Sequence, residues 1–296
     1  MAQIKEVTIS KVDNEFTAFR KTGGVFARRK DKDTLVSYVQ SRGWFIVEEF
    51  SKTAVNTQNY VPTKVAEFTV AERFDIMEKS VKMVGLGILP SAVIAGDAGM
   101  GKSYCVLDTL SNGCMKIEGE DYVIVKGYMT PKALYRKLWE NRDRTLVFDD
   151  TDSILKDTVA LNILKAALDS YSKRTISWLQ EGFIPSDLPD SFDFTGSVIF
   201  ISNLRSNKLD SALKTRSLMV DVSMELDEKI ERMEDIVVDI SPNTDIKIKK
   251  EVLEFIKKNK DYSTALSMRS MLKLIAVREE FPNDWENMAL YFLSNE

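Results

Sequence analysis

Short apolar runs alternate with longer amphipathic segments through the middle of the chain. The apolar runs are rich in valine and isoleucine and predict buried strands at Ala92–Ala95, Tyr122–Val125, Leu146–Phe148, Val198–Ser202 and Leu218–Val222. The segments between them carry apolar residues at helical spacing and predict helices at Val70–Val84, from Lys102 onward, at Pro131–Asn141 and at Ala160–Tyr171. Because buried strands separated by helices form parallel sheets, we expect an α/β core whose parallel β-sheet is covered by helices.

The two ends of the chain differ from this core in pattern. After Ser223 only helical periodicity remains, which predicts a C-terminal helical domain built from Leu226–Met233, Ile246–Lys258, Ser267–Arg278 and Trp285–Leu293. The first 50 residues predict a small α/β module with one helix and three strands, at Asp33–Ser41, Phe16–Arg20, Val25–Arg28 and Trp44–Glu49. We therefore predict an N-terminal module with a linker at 1–60, a core at 61–222 and a helical domain at 223–296.

Composition narrows the chemistry that this core can perform. The 296 residues include two cysteines and no histidine, so zinc sites, haem ligation and histidine-dependent catalysis are excluded. The net charge of −4 gives no overall basic field, although Arg28, Arg29, Lys30 and Lys32 form a local basic cluster. No apolar run approaches the length of a membrane span, and the N-terminus lacks the pattern of a signal peptide. We expect a cytoplasmic protein that has no membrane partner.

A glycine-rich loop follows the first core strand. Its residues 96–103 satisfy the pattern G-x-x-x-x-G-K-[ST], directly after an apolar run and at the start of a predicted helix. Such a loop brings backbone N–H groups and the positive end of a helix toward phosphate oxygens. We expect Lys102 to reach the β- and γ-phosphates of a nucleotide and the Ser103 hydroxyl to bind Mg²⁺. The predicted nucleotide-binding residues are Gly96, Asp97, Ala98, Gly99, Met100, Gly101, Lys102, Ser103 and Tyr104.

Two further predicted strands end in polar residues. One ends in the carboxylates Asp149 and Asp150, of which Asp149 is predicted to hold the magnesium and Asp150 to accept the proton of the attacking water. Asp150 is one methylene shorter than a glutamate, so Asp152 is a second candidate for the base. The next strand ends in an amide, Asn203, which is predicted to orient the water against the γ-phosphate.

With these three strand ends in order, the chain resembles the AAA+ ATPases. The resemblance covers about residues 61–296 and implies ATP and Mg²⁺ as cofactors. In the segment LDSALKTR, Arg216 resembles the arginine finger that AAA+ proteins supply to the γ-phosphate of a neighbouring subunit, with Arg205 and Lys214 as competitors. In the segment SMRSML, Arg269 resembles the sensor 2 arginine, which reaches the γ-phosphate from the helical lid of the same subunit.

The resemblance extends to particular segments and leaves one long loop outside it. The segments GDAGMGKS, LVFDDTDSIL, ILKAALDS and FISNL together look like small AAA+ proteins encoded by tailed bacteriophages. The family resemblance implies a homo-oligomer, of which a hexameric ring is one form. Two β-like pieces within residues 172–195 predict a hairpin, in which Lys173, Arg174 and Trp178 suit either a polymer client or, for Trp178, an anchor on the core.

The sequence leaves three functions open and does not name the client. The first is an ATP-hydrolysing oligomer that remodels or moves a protein or nucleic-acid client. The second is a nucleotide-dependent switch, similar to helicase and clamp loaders, whose basic cluster contacts DNA. The third is a packaging or recombination motor, which the helical lid with its sensor-like arginine disfavours. The adenine is expected near Phe68–Ala71.

Overall fold

The chain forms two compact units, Met1–Ala66 and Glu67–Glu296. A computed structural model describes residues 6–12, 15–20, 25–42, 44–46, 67–171, 173–179 and 188–296. The domain boundary predicted near residue 60 lies outside these ranges. Within them, no helix combines the length and the apolar character that crossing a membrane requires.

The first unit is a small sheet with one helix. Its elements are β1 (Glu6–Val12), β2 (Glu15–Arg20), β3 (Val25–Arg29), α1 (Lys32–Ser41) and β4 (Phe45–Ile46). The sheet has the order β3-β2-β1-β4, with β1 antiparallel to β2 and parallel to β4. Strand β1 was not predicted, although Val7 and Ile9 alternate with polar residues as a half-buried strand requires. These two side chains are buried with Ala18, Leu35 and Val39.

The second unit contains the predicted parallel sheet. Its five strands are β5 (Ser91–Ala95), β6 (Tyr122–Lys126), β7 (Thr145–Asp149), β10 (Ser197–Ser202) and β11 (Leu218–Asp221). They lie in the order β11-β5-β10-β7-β6, and every neighbouring pair is parallel. All five strands therefore end at the same side, which we call the carboxyl edge, and begin at the opposite side, the amino edge. The α/β fold class is confirmed.

Helices cover both faces of this sheet. They are α2 (Val70–Gly85), α3 (Lys102–Asp108), α4 (Pro131–Glu140), α5 (Thr158–Ala167) and α6 (Ser211–Arg216), followed by α7 (Leu226–Asp235), α8 (Ile246–Lys258), α9 (Met268–Glu280) and α10 (Trp285–Ser294). We refer to residues 223–296, which contain α7–α10, as the lid. Successive residues of a strand point to opposite faces, so Ile94 packs with α2, α3 and the lid, whereas Val93 packs with α4, α5 and α6. This two-sided burial explains why the strands are apolar at every position.

Helix α5 ends four residues before the predicted end at Tyr171. The physical reason is Arg174, whose Nη1 donates to the Ala167 carbonyl at 3.0 Å and whose Nη2 donates to the Gly196 carbonyl at 2.7 Å. A side chain thus satisfies a carbonyl that another helical turn would have used. Helix α6 was also missing from the prediction, because six residues are too few for a periodic signal.

Candidate functional site

The phosphate loop has a backbone that requires glycine at particular positions. Gly96 and Gly99 have φ of 149° and 72°, in the region that residues with a Cβ rarely occupy. A Cβ on Gly96 would lie 2.9 Å from Val222, and one on Gly99 would lie 3.0 Å from the Cβ of Ser267 in the lid. The loop therefore fits closely between the end of β11 and the start of α9, with its N–H groups at the start of α3.

Lys102 and Asn203 join the phosphate loop to the end of β10. The Lys102 Nζ donates to the carbonyls of Gly96 at 2.8 Å and Asp97 at 2.6 Å, and to Asn203 Oδ1 at 3.1 Å. The side chain is buried, and this burial lowers the pKa of its ammonium, while the charges of nearby carboxylates, Asp150 first, act in the opposite direction. The ammonium is therefore held at the carboxyl edge by contacts within the chain.

Asp150 continues this network. Its Oδ1 accepts a hydrogen bond of 2.7 Å from Asn203 Nδ2, and its backbone has a positive φ of 54°, a conformation that aspartate tolerates better than most residues. Asp150 lines the cleft beside Lys102. Asp152 instead accepts a hydrogen bond of 2.6 Å from Ser202 Oγ at the end of β10. Of the two candidates for the base, Asp150 is the one in the cleft.

Asp149 is the buried carboxylate of the site. Its Oδ1 accepts a hydrogen bond of 3.0 Å from Ser103 Oγ, and its Oδ2 lies 3.0 Å from the Nζ of Lys126. The carboxylate and the hydroxyl thus meet where the phosphate loop passes the end of β7. Oxygen ligands of this kind, few in number and beside a phosphate loop, suit Mg²⁺, which usually binds one or two protein oxygens together with phosphates and water. The residues present fit a nucleoside triphosphate with Mg²⁺.

The lid contacts the phosphate loop at two points. The Met268 N–H donates to the Gly99 carbonyl at 3.0 Å, and the Met224 N–H donates to Asp97 Oδ2 at 3.1 Å, where Lys229 Nζ also lies 3.7 Å away. Arg269 is exposed and lines the cleft from α9. The lid therefore brings one arginine to the same cleft as Lys102 and Asp150.

The remaining predicted residues of the loop differ in what their side chains do. Tyr104 is 77% exposed and lines the cleft together with Gly99, Gly101, Lys102 and Ser103. Met100 is buried in the core, and the Asp97 carboxylate is bonded to the lid, so neither side chain is directed to the cleft. Ala98 carries only a methyl group. A nucleotide can meet these three positions through the backbone alone.

Arg216 lies at the amino edge, away from the cleft. It ends α6 just before β11, and its carbonyl accepts a hydrogen bond of 3.2 Å from Ser91 Oγ at the start of β5. Its Nη1 donates to the Ala212 carbonyl at 3.3 Å, while its Nε is buried and has no partner among the described residues. The structure therefore separates Arg216 from the other predicted site residues by the length of the sheet.

The predicted hairpin is present as β8 (Thr175–Ser177) paired antiparallel with β9 (Ser191–Asp193). Trp178 is half-buried, with its ring centroid 6.0 Å from that of Tyr135 on α4. Arg174 is used inside the fold, as described above, and Lys173 pairs with Asp193 at 3.3 Å. The geometry favours the anchor interpretation of Trp178. Residues 180–187 lie outside the described ranges.

Two features of the site were not found from the sequence. Lys126 has the same signal as Asp149 and Asn203, a polar residue at the end of an apolar strand, but the strand was expected to end at Val125. The contacts between Asp97 and the lid connect positions 127 residues apart, and no local pattern marks them.

Comparison with known proteins gives one relative in sequence and several in fold. No protein-family model matches the chain. An uncharacterised 36.7 kDa protein of Enterobacteria phage T4, from the nrdC-mobD intergenic region, is 30% identical over 252 residues, which cover 76% of this chain and 74% of the relative. A mutant of Thermotoga maritima RuvB has a TM-score of 0.50 at 12% identity, over 77% of this chain and 70% of that protein. Domain III of the Thermotoga maritima replication initiation protein DnaA has a TM-score of 0.46 at 13% identity, over 79% of this chain and 95% of that domain.

Proposed function

Since the chain belongs to the family of the phage T4 protein and has the AAA+ fold, we propose that it hydrolyses ATP at the interfaces of a homo-oligomer. In this proposal ATP and Mg²⁺ are the cofactors, and the oligomer remodels or moves a protein or nucleic-acid client in the cytoplasm of the phage host. A hexameric ring is one assembly that fits it.

One observation carries the proposal. Lys102, Ser103, Asp149, Asp150 and Asn203 come from three separate strand ends and line one cleft. The cleft thus combines a phosphate cradle, an ammonium, a carboxylate beside a hydroxyl, and a second carboxylate held by an amide. A purely structural ion pair would explain one of these groups. It would not explain why all four kinds of group meet at a glycine-rich loop.

Each residue has a role in this proposal that follows from its contacts. Bound ATP with Mg²⁺ supplies the phosphoanhydride and neutralises charge on its oxygens. The Lys102 ammonium exchanges its carbonyl partners for phosphate oxygens, and Ser103 with Asp149 provides oxygen ligands for the cation. Asp150 accepts a proton from the attacking water, while Asn203 holds the Asp150 carboxylate and orients that water. Arg269 contributes positive charge from the lid.

In this proposal hydrolysis requires the oligomer, because Arg216 of one subunit acts on the ATP bound by another. Because Arg216 lies at the amino edge and the cleft lies at the carboxyl edge, it can act only on the cleft of another copy. Apolar side chains are also exposed at this edge: Ile88, in the turn before β5, is 62% exposed, and Tyr171, after α5, is 75% exposed. Exposed apolar side chains at the same edge as an unpaired buried Nε support a protein partner there.

The experiment is turnover as a function of protein concentration. We expect ATP hydrolysis per subunit to rise with concentration and then level off as the oligomer forms, while nucleotide binding by each subunit stays constant. A turnover per subunit that is high and independent of concentration for a monomer, measured beside its sedimentation, would contradict hydrolysis at interfaces.

A second candidate function is a nucleotide-dependent switch that binds DNA. It is favoured by the first unit, where the guanidinium groups of Arg29 and Arg42 lie 4.7 and 5.4 Å from the ring centroid of Tyr38. Arg28, Lys30 and Lys32 are exposed beside them. We expect single-stranded DNA to bind more weakly as salt increases and after substitution of Arg28 and Arg29. Binding that is absent or insensitive to salt would rule this candidate out.

A further inference from the structure

Lys126 is paired with the carboxylate that the proposed function assigns to the metal. It is the last residue of β6 and lies directly beside Asp149 in the parallel register of β6 and β7. Its Nζ is 3.0 Å from Asp149 Oδ2, while the other oxygen, Oδ1, receives the hydrogen bond from Ser103. Both oxygens of this carboxylate are therefore engaged within the chain.

The two partners differ in exposure. Asp149 is 4% exposed, and a buried carboxylate is costly unless it is paired. The Lys126 side chain is 61% exposed, on a flexible four-carbon stem. The Lys126 ammonium can thus move away from the carboxylate into water with little loss of free energy. The buried Asp149 carboxylate then needs another positive charge to replace the ammonium.

We propose that Lys126 is a positioning residue. It holds the Asp149 carboxylate where a divalent cation would bind, and it competes with the cation for that carboxylate. This inference rests on the proposed function of the same cleft. An ammonium at Oδ2 opposes a second positive charge there, because like charges a few ångströms apart repel each other. Binding of the cation then displaces Lys126 into solvent. The residue sets how strongly nucleotide binding depends on the cation.

The test uses a non-hydrolysable fluorescent ATP analogue and the full chain, and it measures the dissociation constant in EDTA and in saturating Mg²⁺. The constant in EDTA divided by the constant in Mg²⁺ reports the coupling between nucleotide and cation without any turnover. Lys126→Met should increase this ratio about tenfold, because the cation no longer has a competitor and the unpaired Asp149 carboxylate gains more from it. The increase should come from a lower constant in Mg²⁺, and the constant in EDTA should not decrease, because the unpaired Asp149 carboxylate repels the nucleotide phosphates.

Two further variants complete the experiment. Lys126→Arg keeps a cation at Asp149 and should keep the wild-type ratio. Lys132→Met removes an exposed lysine from the first turn of α4, at the same edge of the sheet, and should also leave the ratio unchanged. Melting temperatures of all variants, measured without nucleotide, separate a loss of folding from a change in binding.

The outcomes distinguish this inference from the function on which it rests. An unchanged or decreased ratio for Lys126→Met would overturn the competition. An increase that came only from weaker binding in EDTA, with the constant in Mg²⁺ unchanged, would overturn it as well, because the cation would then gain nothing from the loss of its competitor. If the wild-type protein bound the analogue in neither buffer, the proposed function would be contradicted, and the inference about Lys126 would lose its basis.

Discussion

The carboxyl and amino edges of the same sheet differ in what their charged side chains contact. At the carboxyl edge, Lys102, Asn203 and Asp150 form a continuous chain of hydrogen bonds. At the amino edge, the Arg216 Nε is buried without a partner among the described residues, and Ile88 is largely exposed. A buried guanidinium nitrogen without a partner, at an edge that also exposes apolar side chains, indicates a missing partner. The residues of the candidate site therefore lie at one edge, and the other edge is where we expect a second subunit to bind.

The largest effect is expected at the amino edge. Arg216→Ala should decrease turnover by about 10³-fold or more, because an arginine that neutralises the transferred phosphoryl group contributes on this scale in other phosphate-loop enzymes. Nucleotide binding to the isolated subunit should not change, since Arg216 is remote from its own cleft. Steady-state hydrolysis and equilibrium binding measure the two effects separately.

Lys214→Ala is the matched control for this comparison. Lys214 lies on the same helix, two residues before Arg216, and its loss should change turnover less than tenfold. If Lys214→Ala were the damaging variant, the finger would be Lys214 and not Arg216. If Arg216→Ala weakened nucleotide binding, the assignment of the two edges would be wrong.

A smaller effect is expected from the two carboxylates after β7. Asp150→Asn should decrease turnover by about 10²- to 10⁴-fold, the range for removal of a general base, while ATP still binds. Asp152→Asn should have an effect below tenfold, because this carboxylate is bonded to Ser202 and not to Asn203. Single-turnover hydrolysis by the two variants measures the difference. Equal losses would remove the reason for choosing Asp150.

The smallest effect is expected for the exposed apolar surface. Ile88→Ser should increase the protein concentration needed for half-maximal turnover about tenfold, the scale of a moderately important interface residue. The melting temperature of the subunit should stay the same, since Ile88 is 62% exposed. Val238→Ser, at a side chain 65% exposed in the lid, is the control and should change neither quantity. Indistinguishable behaviour of the two variants would argue against an interface at the amino edge.

The elements that could be predicted from the sequence are those with a strong local pattern. The strands of the sheet are buried on both faces, so each is a continuous apolar run, and the phosphate loop carries its glycines at fixed spacing. Asp149 and Asn203 follow from the same logic, since polar residues at the ends of parallel strands meet at one edge.

The features that could not be predicted depend on distant contacts or on short elements. The early end of α5 depends on Arg174, and the closeness of the loop to the lid depends on Gly99 and Ser267. Neither contact leaves a periodic signal in the chain. Lys126 was within reach of the sequence argument, but a strand end uncertain by one residue was enough to hide it.

The most direct test of the central claim is to mix two inactive proteins. Lys102→Ala protein keeps Arg216 but lacks a functional cleft, and Arg216→Ala protein keeps the cleft but lacks the finger. Mixed in equal amounts, they should recover about a quarter of the wild-type turnover, because about a quarter of the interfaces then pair an intact cleft with an intact Arg216. The double variant, mixed with Lys102→Ala protein, should recover nothing. If the first mixture, shown to co-assemble, hydrolysed ATP no faster than either protein alone, the claim that two subunits share one site would be contradicted.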